Sequence, residues 1–126
     1  MFKWILSAIV HDTIVDIMKE EDWRVKLSLD NYIVDVLMRD LTEHEGRPSA
    51  FLVYLYLWRL THGAEKLQTV SSYQEMAEGT GLSKSAVQGA IQLLKHRKLI
   101  LITRKSRTST PTYSVARPWL RRSKSS

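Results

Sequence analysis

The residues in this chain whose types and spacing suit a recognition chemistry cluster between Tyr73 and Gln92, in the run YQEMAEGTGLSKSAVQGAIQ. Its small and apolar residues fall where two crossed helices need them. Ala77 sits midway through the first helix, where a larger side chain would collide with the second. Gly81 lies in the turn, at a position expected to need positive φ, which glycine takes without steric cost. Met76 gives the first helix an inward face, and Leu82, Val87 and Ala90 give one to the second. Ser83 is placed to N-cap the second helix by accepting from the N–H groups of its first turn. The outward positions are Lys84, Ser85, Gln88, Gly89 and Gln92, all small, polar or basic. A face of that kind offers hydrogen bonds to base edges on the floor of a major groove.

The elements around this pair sharpen the reading. After Lys95-His96-Arg97-Lys98 comes LILITR, residues 99–104, rich in β-formers and too short for another helix. The basic, turn-forming KSRTSTP follows, and then TYSVA, residues 112–116, a second predicted strand. Two strands joined by a basic loop directly after a polar-faced helix resemble a wing. The region from about Pro48 to Ala116 thus resembles bacterial winged helix-turn-helix proteins, the transcription regulators and the related plasmid and primosome replication factors. The resemblance rests on Ala77, Gly81 and Val87 with the strand-loop-strand behind them. It implies a mainly α fold with a small β-wing and additional N-terminal helices, divided as an extension over 1–47, the winged domain over 48–116 and a basic tail over 117–126.

What the resemblance implies for the site follows residue by residue. The recognition helix would run over 83–96 and the wing over 104–111. In this family the first turns of that helix reach the bases, which here means Lys84, Ser85 and Gln88. Gln88 suits paired hydrogen bonds to adenine, and Lys84 suits donation to guanine N7 or O6. Gln92 lies one turn further on, and Lys95 follows it. Ser83 and Tyr73 suit phosphate, through hydroxyl or helix N-terminal amides. In the wing, Arg104, Lys105 and Arg107 bring cations, and Ser106, Thr108, Ser109 and Thr110 bring small hydroxyl donors.

Charge agrees with that placement. The chain of 126 residues carries a net +6, unevenly spread. From Ser71 onward there are eleven Lys or Arg and two acids, Glu75 and Glu78; Met1 to Val70 holds eight basic and eleven acidic residues. Such an asymmetry is the electrostatic footprint of a polyanion binder. The length suits one domain with a modest core. With no cysteine there is no disulfide framework and no thiolate metal site.

The elements ahead of the motif are predicted to be helical. Residues 4 to about 21 suit a helix through Ile5, Ile9, Ile14, Ile17 and Met18, and residues 23–27 alternate like a short extended segment. A second helix starts at Ser28 or Asp30 and runs to about Glu43, with Ile33, Leu37 and Leu41 recurring at four and Val34 and Met38 beside them. Gly46-Arg47-Pro48 breaks it. Ser49 is expected to cap a third helix that Gly63 ends. Phe51, Leu52, Tyr54, Leu55, Tyr56, Leu57 and Trp58 make that third helix apolar nearly all round, so it is expected to be buried on more than one side, under Met76, Leu82, Val87 and Ile91 and against the second helix. If these two helices do not cover each other within one chain they would do so between chains, and with two-fold reading of half-sites a homodimer is the expected state, a plain monomer core being the alternative. Trp119 and Leu120 are placed to tuck against the body, with Arg121, Arg122 and Lys124 beyond.

Other chemistries find little footing. His11, His44, His62 and His96 lack ligand spacing, and His11-Asp12 with Asp16, or Glu43-His44-Glu45, read as solvated faces because adjacent helical residues diverge. There is no glycine-rich phosphate loop and no nucleophile elbow. No enzymatic activity, cofactor or metal is expected. The run at residues 4–10 is interrupted by His11 and Asp12 without a clean cleavage site, and AFLVYLYLW, residues 50–58, is far below the about 20 residues of a membrane span. A soluble cytoplasmic protein is expected, binding double-stranded DNA and regulating transcription. The competing expectation is a protein-interaction or DNA-binding module of a replication or segregation complex, docking a partner through the acidic N-terminal helices. Duplex RNA is a third expectation, less favoured because no aromatic stacking pair accompanies the wing.

Overall fold

Pro48 starts the helix around which the other elements are arranged. The computed structural model describes residues 26–120; the helix expected over 4–21, residues 23–25 of the extended segment and the tail cations Arg121, Arg122 and Lys124 lie outside them. Helix α2 runs Pro48–Leu60 with proline in its first turn, where a missing N–H costs nothing. Its N-cap is Arg47, which makes no side-chain cap bond. Ser49 is therefore not the cap, because Pro48 already fixes the helical φ one residue earlier. At the other end α2 stops at Leu60, and the Thr61 hydroxyl donates to the Leu57 carbonyl at 2.8 Å. Gly63 does not end it. It sits inside a short 3₁₀ turn, His62–Ala64, whose left-handed residue is Glu65.

Helix α1 spans residues 31–44, with π-helical turns at Ile33–Leu37 and Asp40–His44. Its buried stripe is Ile33, Leu37 and Leu41. In an α-helix, residues four apart drift round the axis by about 40° per step. The wider π turns oppose that drift and keep the three side chains in line against α2. Val34 and Met38, expected beside the stripe, instead face outward, because only one flank of α1 meets α2. The two helices cover each other within one chain, so mutual cover requires no second copy.

Helix α2 buries Ala50, Phe51, Val53, Tyr54, Leu57 and Trp58 and exposes Leu52 and Arg59. Its apolar residues thus serve two contact faces and leave a narrow third one open. Each fully buried Leu, Ile or Val contributes roughly 1.5–3 kcal/mol relative to exposure. Against α2 pack α3, Tyr73–Thr80, and α4, Lys84–His96. The capping box of α3 is reciprocal. Ser72 Oγ accepts from the Glu75 N–H at 3.1 Å, and Glu75 Oε1 accepts from the Ser72 N–H at 3.1 Å. Gly81 ends α3 at φ +81°, and Ser83 caps α4 by accepting from the Ala86 N–H at 3.0 Å.

Helix α4 closes with an αL turn in which the Lys98 N–H donates to Lys95 O at 3.0 Å and the Leu99 N–H donates to Leu94 O at 2.9 Å. Lys98 holds φ +57° there, a position where glycine would be unstrained. Leu99 is thereby turned into the core, and the chain leaves as β2, Ile100–Thr103. It returns as β3, Thr112–Val115, in antiparallel register with Ile102 opposite Tyr113. A third strand escaped the sequence reading. β1, Thr69–Val70, pairs antiparallel with β3, giving the order β1-β3-β2. Two residues are too few to show alternation. The molecule is mainly helical with a small three-stranded antiparallel sheet, and no helix of the described residues is long and apolar enough to cross a membrane.

Candidate nucleic-acid interface

Along α4 the buried stripe is Val87, Ala90, Ile91 and Leu94. At about 100° per residue, Ser85, Gln92 and His96 stand opposite it, and Lys84, Gln88 and Lys95 occupy one shoulder. All six are exposed. The helix therefore brings the expected residues Lys84, Ser85, Gln88, Gln92 and Lys95 onto one solvent face and adds His96, which the sequence reading passed over. Ser83 is exposed at its N-terminus, but its hydroxyl oxygen already serves as the cap.

Tyr73 is placed differently. It is the first residue of α3 and half-buried, packed against the core rather than standing free. Nearby, Tyr113 is fully buried and its hydroxyl has no hydrogen-bond partner among the described residues. Burial pushes that phenol up to about 12, with the neighbouring Tyr73 adding to the shift and Arg104 opposing it.

The loop between β2 and β3 carries Arg104, Lys105, Arg107 and Thr108, all exposed. Its turn is held by Ser109, whose hydroxyl donates to Ser106 O at 2.9 Å while accepting from the Ser106 N–H at 2.9 Å. Thr108 Oγ1 lies 3.4 Å from Ser106 Oγ. Ser106 and Ser109, expected as donors to a ligand, are thus engaged in shaping the loop that holds the cations apart.

Two of the later arginines are spent on structure. Arg97 donates to Asp40 and, at 3.1 Å, to Glu45, and its guanidinium is held above its usual value, first by the Asp40 hydrogen bond. Arg117 is bound to Asp30. By contrast, Lys84, Lys95, Lys98, Arg104, Lys105 and Arg107 make no ion pair among the described residues. The chain has no Asp or Glu beyond Glu78. These cations are free to neutralise an external polyanion.

The acidic residues gather elsewhere. Asp40, His44 and Glu45 bring ligand-type atoms within 4.8 Å of one another, a grouping different from the Glu43-His44-Glu45 run read in sequence. Both carboxylates of this group are bound by Arg97, so an arginine supplies the positive charge there. Compared with protein-family models, curated proteins and solved structures, the chain matches none.

Proposed function

We propose that the protein binds duplex DNA as a winged helix-turn-helix and acts in the cytoplasm as a transcription regulator. The single observation carrying this reading is the set of unpaired cations on α4 and the β2–β3 loop, in a half of the chain with no carboxylate after Glu78. The element order supports the fold assignment. β1 precedes the α3–α4 pair, and β3 returns between β1 and β2, leaving the basic loop as the wing. Gln88, Lys84, Ser85 and Gln92 read base edges on this proposal, while Ser83, Lys95, Tyr73 and the wing residues Arg104, Lys105, Arg107 and Thr108 hold the backbone. Fluorescence anisotropy of a random duplex of about 30 base pairs, titrated at several salt concentrations beside the same RNA duplex, tests it. Salt-sensitive binding near 10⁻⁴–10⁻⁶ M is the non-specific baseline expected. Absence of binding even at low salt removes the reading.

One observation favours a second reading, a protein-contact module within a replication or segregation complex, or a homodimer contact. The outer face of α1 exposes Val34, Val36 and Met38 at 46%, 43% and 39%, beside Asp35 and Arg39. Polar replacement of Val34 and Met38 with serine, followed by light scattering, separates the two. A dimer that collapses to monomer assigns this face to self-association, a dimer of unchanged mass removes this face from the contact, and a monomeric wild type removes the homodimer.

A further inference from the structure

Gly89 is an expensive residue in the middle of a thirteen-residue helix, since glycine is the poorest helix former after proline. Its φ is ordinary, so the turn chemistry that explains Gly81 does not explain it. What it does provide is room. A Cβ at Gly89 would lie 3.3 Å from the guanidinium carbon of Arg47 and closer still to Nη1. Arg47 therefore lies directly on the backbone of α4, in a notch that any larger side chain would fill. The notch adjoins Ser85 one turn earlier and Gln92 almost one turn later, both on the solvent face described above.

The surroundings show why the arginine can serve an outside ligand. The segment joining α1 to α2 runs along the flank of α4. It is pinned at one end by Arg97 with Asp40 and Glu45, and the Arg47 N–H is bonded to Leu41 O at 2.8 Å. The nearby carboxylates Asp40 and Glu45 are therefore consumed by Arg97. Arg47 itself has no ion pair or side-chain hydrogen bond among the described residues, and it is exposed. The guanidinium meets α4 end-on through Nη1, and, unpaired beside the polar face, it keeps donors for an outside ligand.

We propose that Arg47, seated over Gly89, is a further DNA-contacting residue that binds a backbone phosphate beside the groove entered by α4. This inference rests on the DNA-binding reading above. Arg47 extends the interface from the helix-turn-helix pair to the segment ahead of α2, and Gly89 acts as its positioning residue by leaving the seat open.

The test uses the full chain and the random duplex of about 30 base pairs, in anisotropy titrations across salt. Arg47→Ala is expected to make the slope of log K against log salt shallower by about 0.9, the release of one phosphate's counterions. At 0.1 M salt that corresponds to a loss of about eightfold. Arg47→Lys retains the slope. Gly89→Ala keeps the charge and raises Tm through better helix propensity, yet weakens binding because the guanidinium is displaced. That opposite movement of stability and affinity is a readout that misfolding cannot imitate. Arg47→Ala with unchanged affinity and slope overturns the proposal while the wild-type titration still upholds DNA binding. Gly89→Ala binding as tightly as wild type overturns the seating. A wild-type protein that binds no duplex at any salt overturns both.

Discussion

Arg117 grips the carboxylate of Asp30 from 87 residues away, with Nε and Nη2 donating to its two oxygens at 2.8 and 2.9 Å. The same carboxylate accepts from Trp119 Nε1 at 2.9 Å, and the Trp119 ring stacks on Tyr32 with centroids 4.7 Å apart. One acid immediately before α1 thereby fastens the chain that leaves β3. Arg117 also lies over the Trp58 ring, at 5.6 Å from its centroid. The side chains of the pair keep 32% and 27% of their exposure, so solvent screens part of the attraction. Asp30→Ala is expected to cost about 2 kcal/mol, since hydrogen bonds to charged groups contribute roughly 1.5–3 kcal/mol each before screening. Urea unfolding checks it, and a loss below about 0.5 kcal/mol, the level of an ordinary surface pair, would remove this clasp from the account of stability.

The free cations and the spent ones should separate by salt dependence. On the DNA-binding reading, replacing Arg104, Lys105 and Arg107 with Glu weakens duplex binding and flattens its salt slope. An unchanged slope excludes a phosphate contact by the β2–β3 loop. Arg97→Ala is expected to lower Tm and leave the slope alone, because Arg97 is already bound to Asp40 and Glu45.

Gln88 carries a different expectation. On the DNA-binding reading, Gln88→Ala alters preference at one base position, costing about 1–3 kcal/mol on the preferred base and little elsewhere. Selection from a randomised duplex pool reads this directly. A uniform loss on all sequences would make Gln88 a backbone contact.

Lys98 occupies a left-handed position that glycine fills at no steric cost. Lys98→Gly should therefore stabilise the fold by about 1 kcal/mol. On the DNA-binding reading it also removes an unpaired cation, so affinity falls as Tm rises. If both rise together, Lys98 is no part of the interface.

Tyr113 gives the pH dependence. Its phenol ordinarily titrates at 10.0 and is pushed up to about 12 by burial, so folding favours the protonated form. The resulting stability is complete below pH 10 and is lost as pH rises toward about 12. Tyr54, raised by burial and donating to Ala116 O at 2.9 Å, adds to the same alkaline loss. Tyr113→Phe should shallow the decline between pH 10 and about 12. It should also stabilise the protein by about 1 kcal/mol at neutral pH, since it removes a buried hydroxyl with no partner. A Tyr113→Phe protein that is less stable at neutral pH would show that the hydroxyl is satisfied after all.

Local chemistry was legible along the chain wherever one residue type answers one need. Ser83 caps α4, Gly81 takes positive φ, and residues 100–103 and 112–115 form strands inside the runs read for them. The polar face of α4 followed from Val87 and Ala90, two of the three residues read as its inward face, and both are buried. Ser49 and Gly63 were misleading because each has the right type for a helix boundary, and the boundary was decided nearby by Pro48 and Thr61. The Thr69–Val70 strand left no periodic trace and exists because β3 offers it an edge.

The tertiary structure alone decided which charges remain available. Arg97, Arg117, Arg104 and Arg47 are the same residue in composition, and no local pattern separates them. Arg97 meets Asp40 and Glu45 from more than fifty residues away, and Arg117 meets Asp30. Arg104 and Arg47 meet no carboxylate among the described residues. Pairing of that kind depends on where the chain returns to itself. A residue's charge is written in its type, but whether that charge is neutralised depends on packing between segments far apart in the chain.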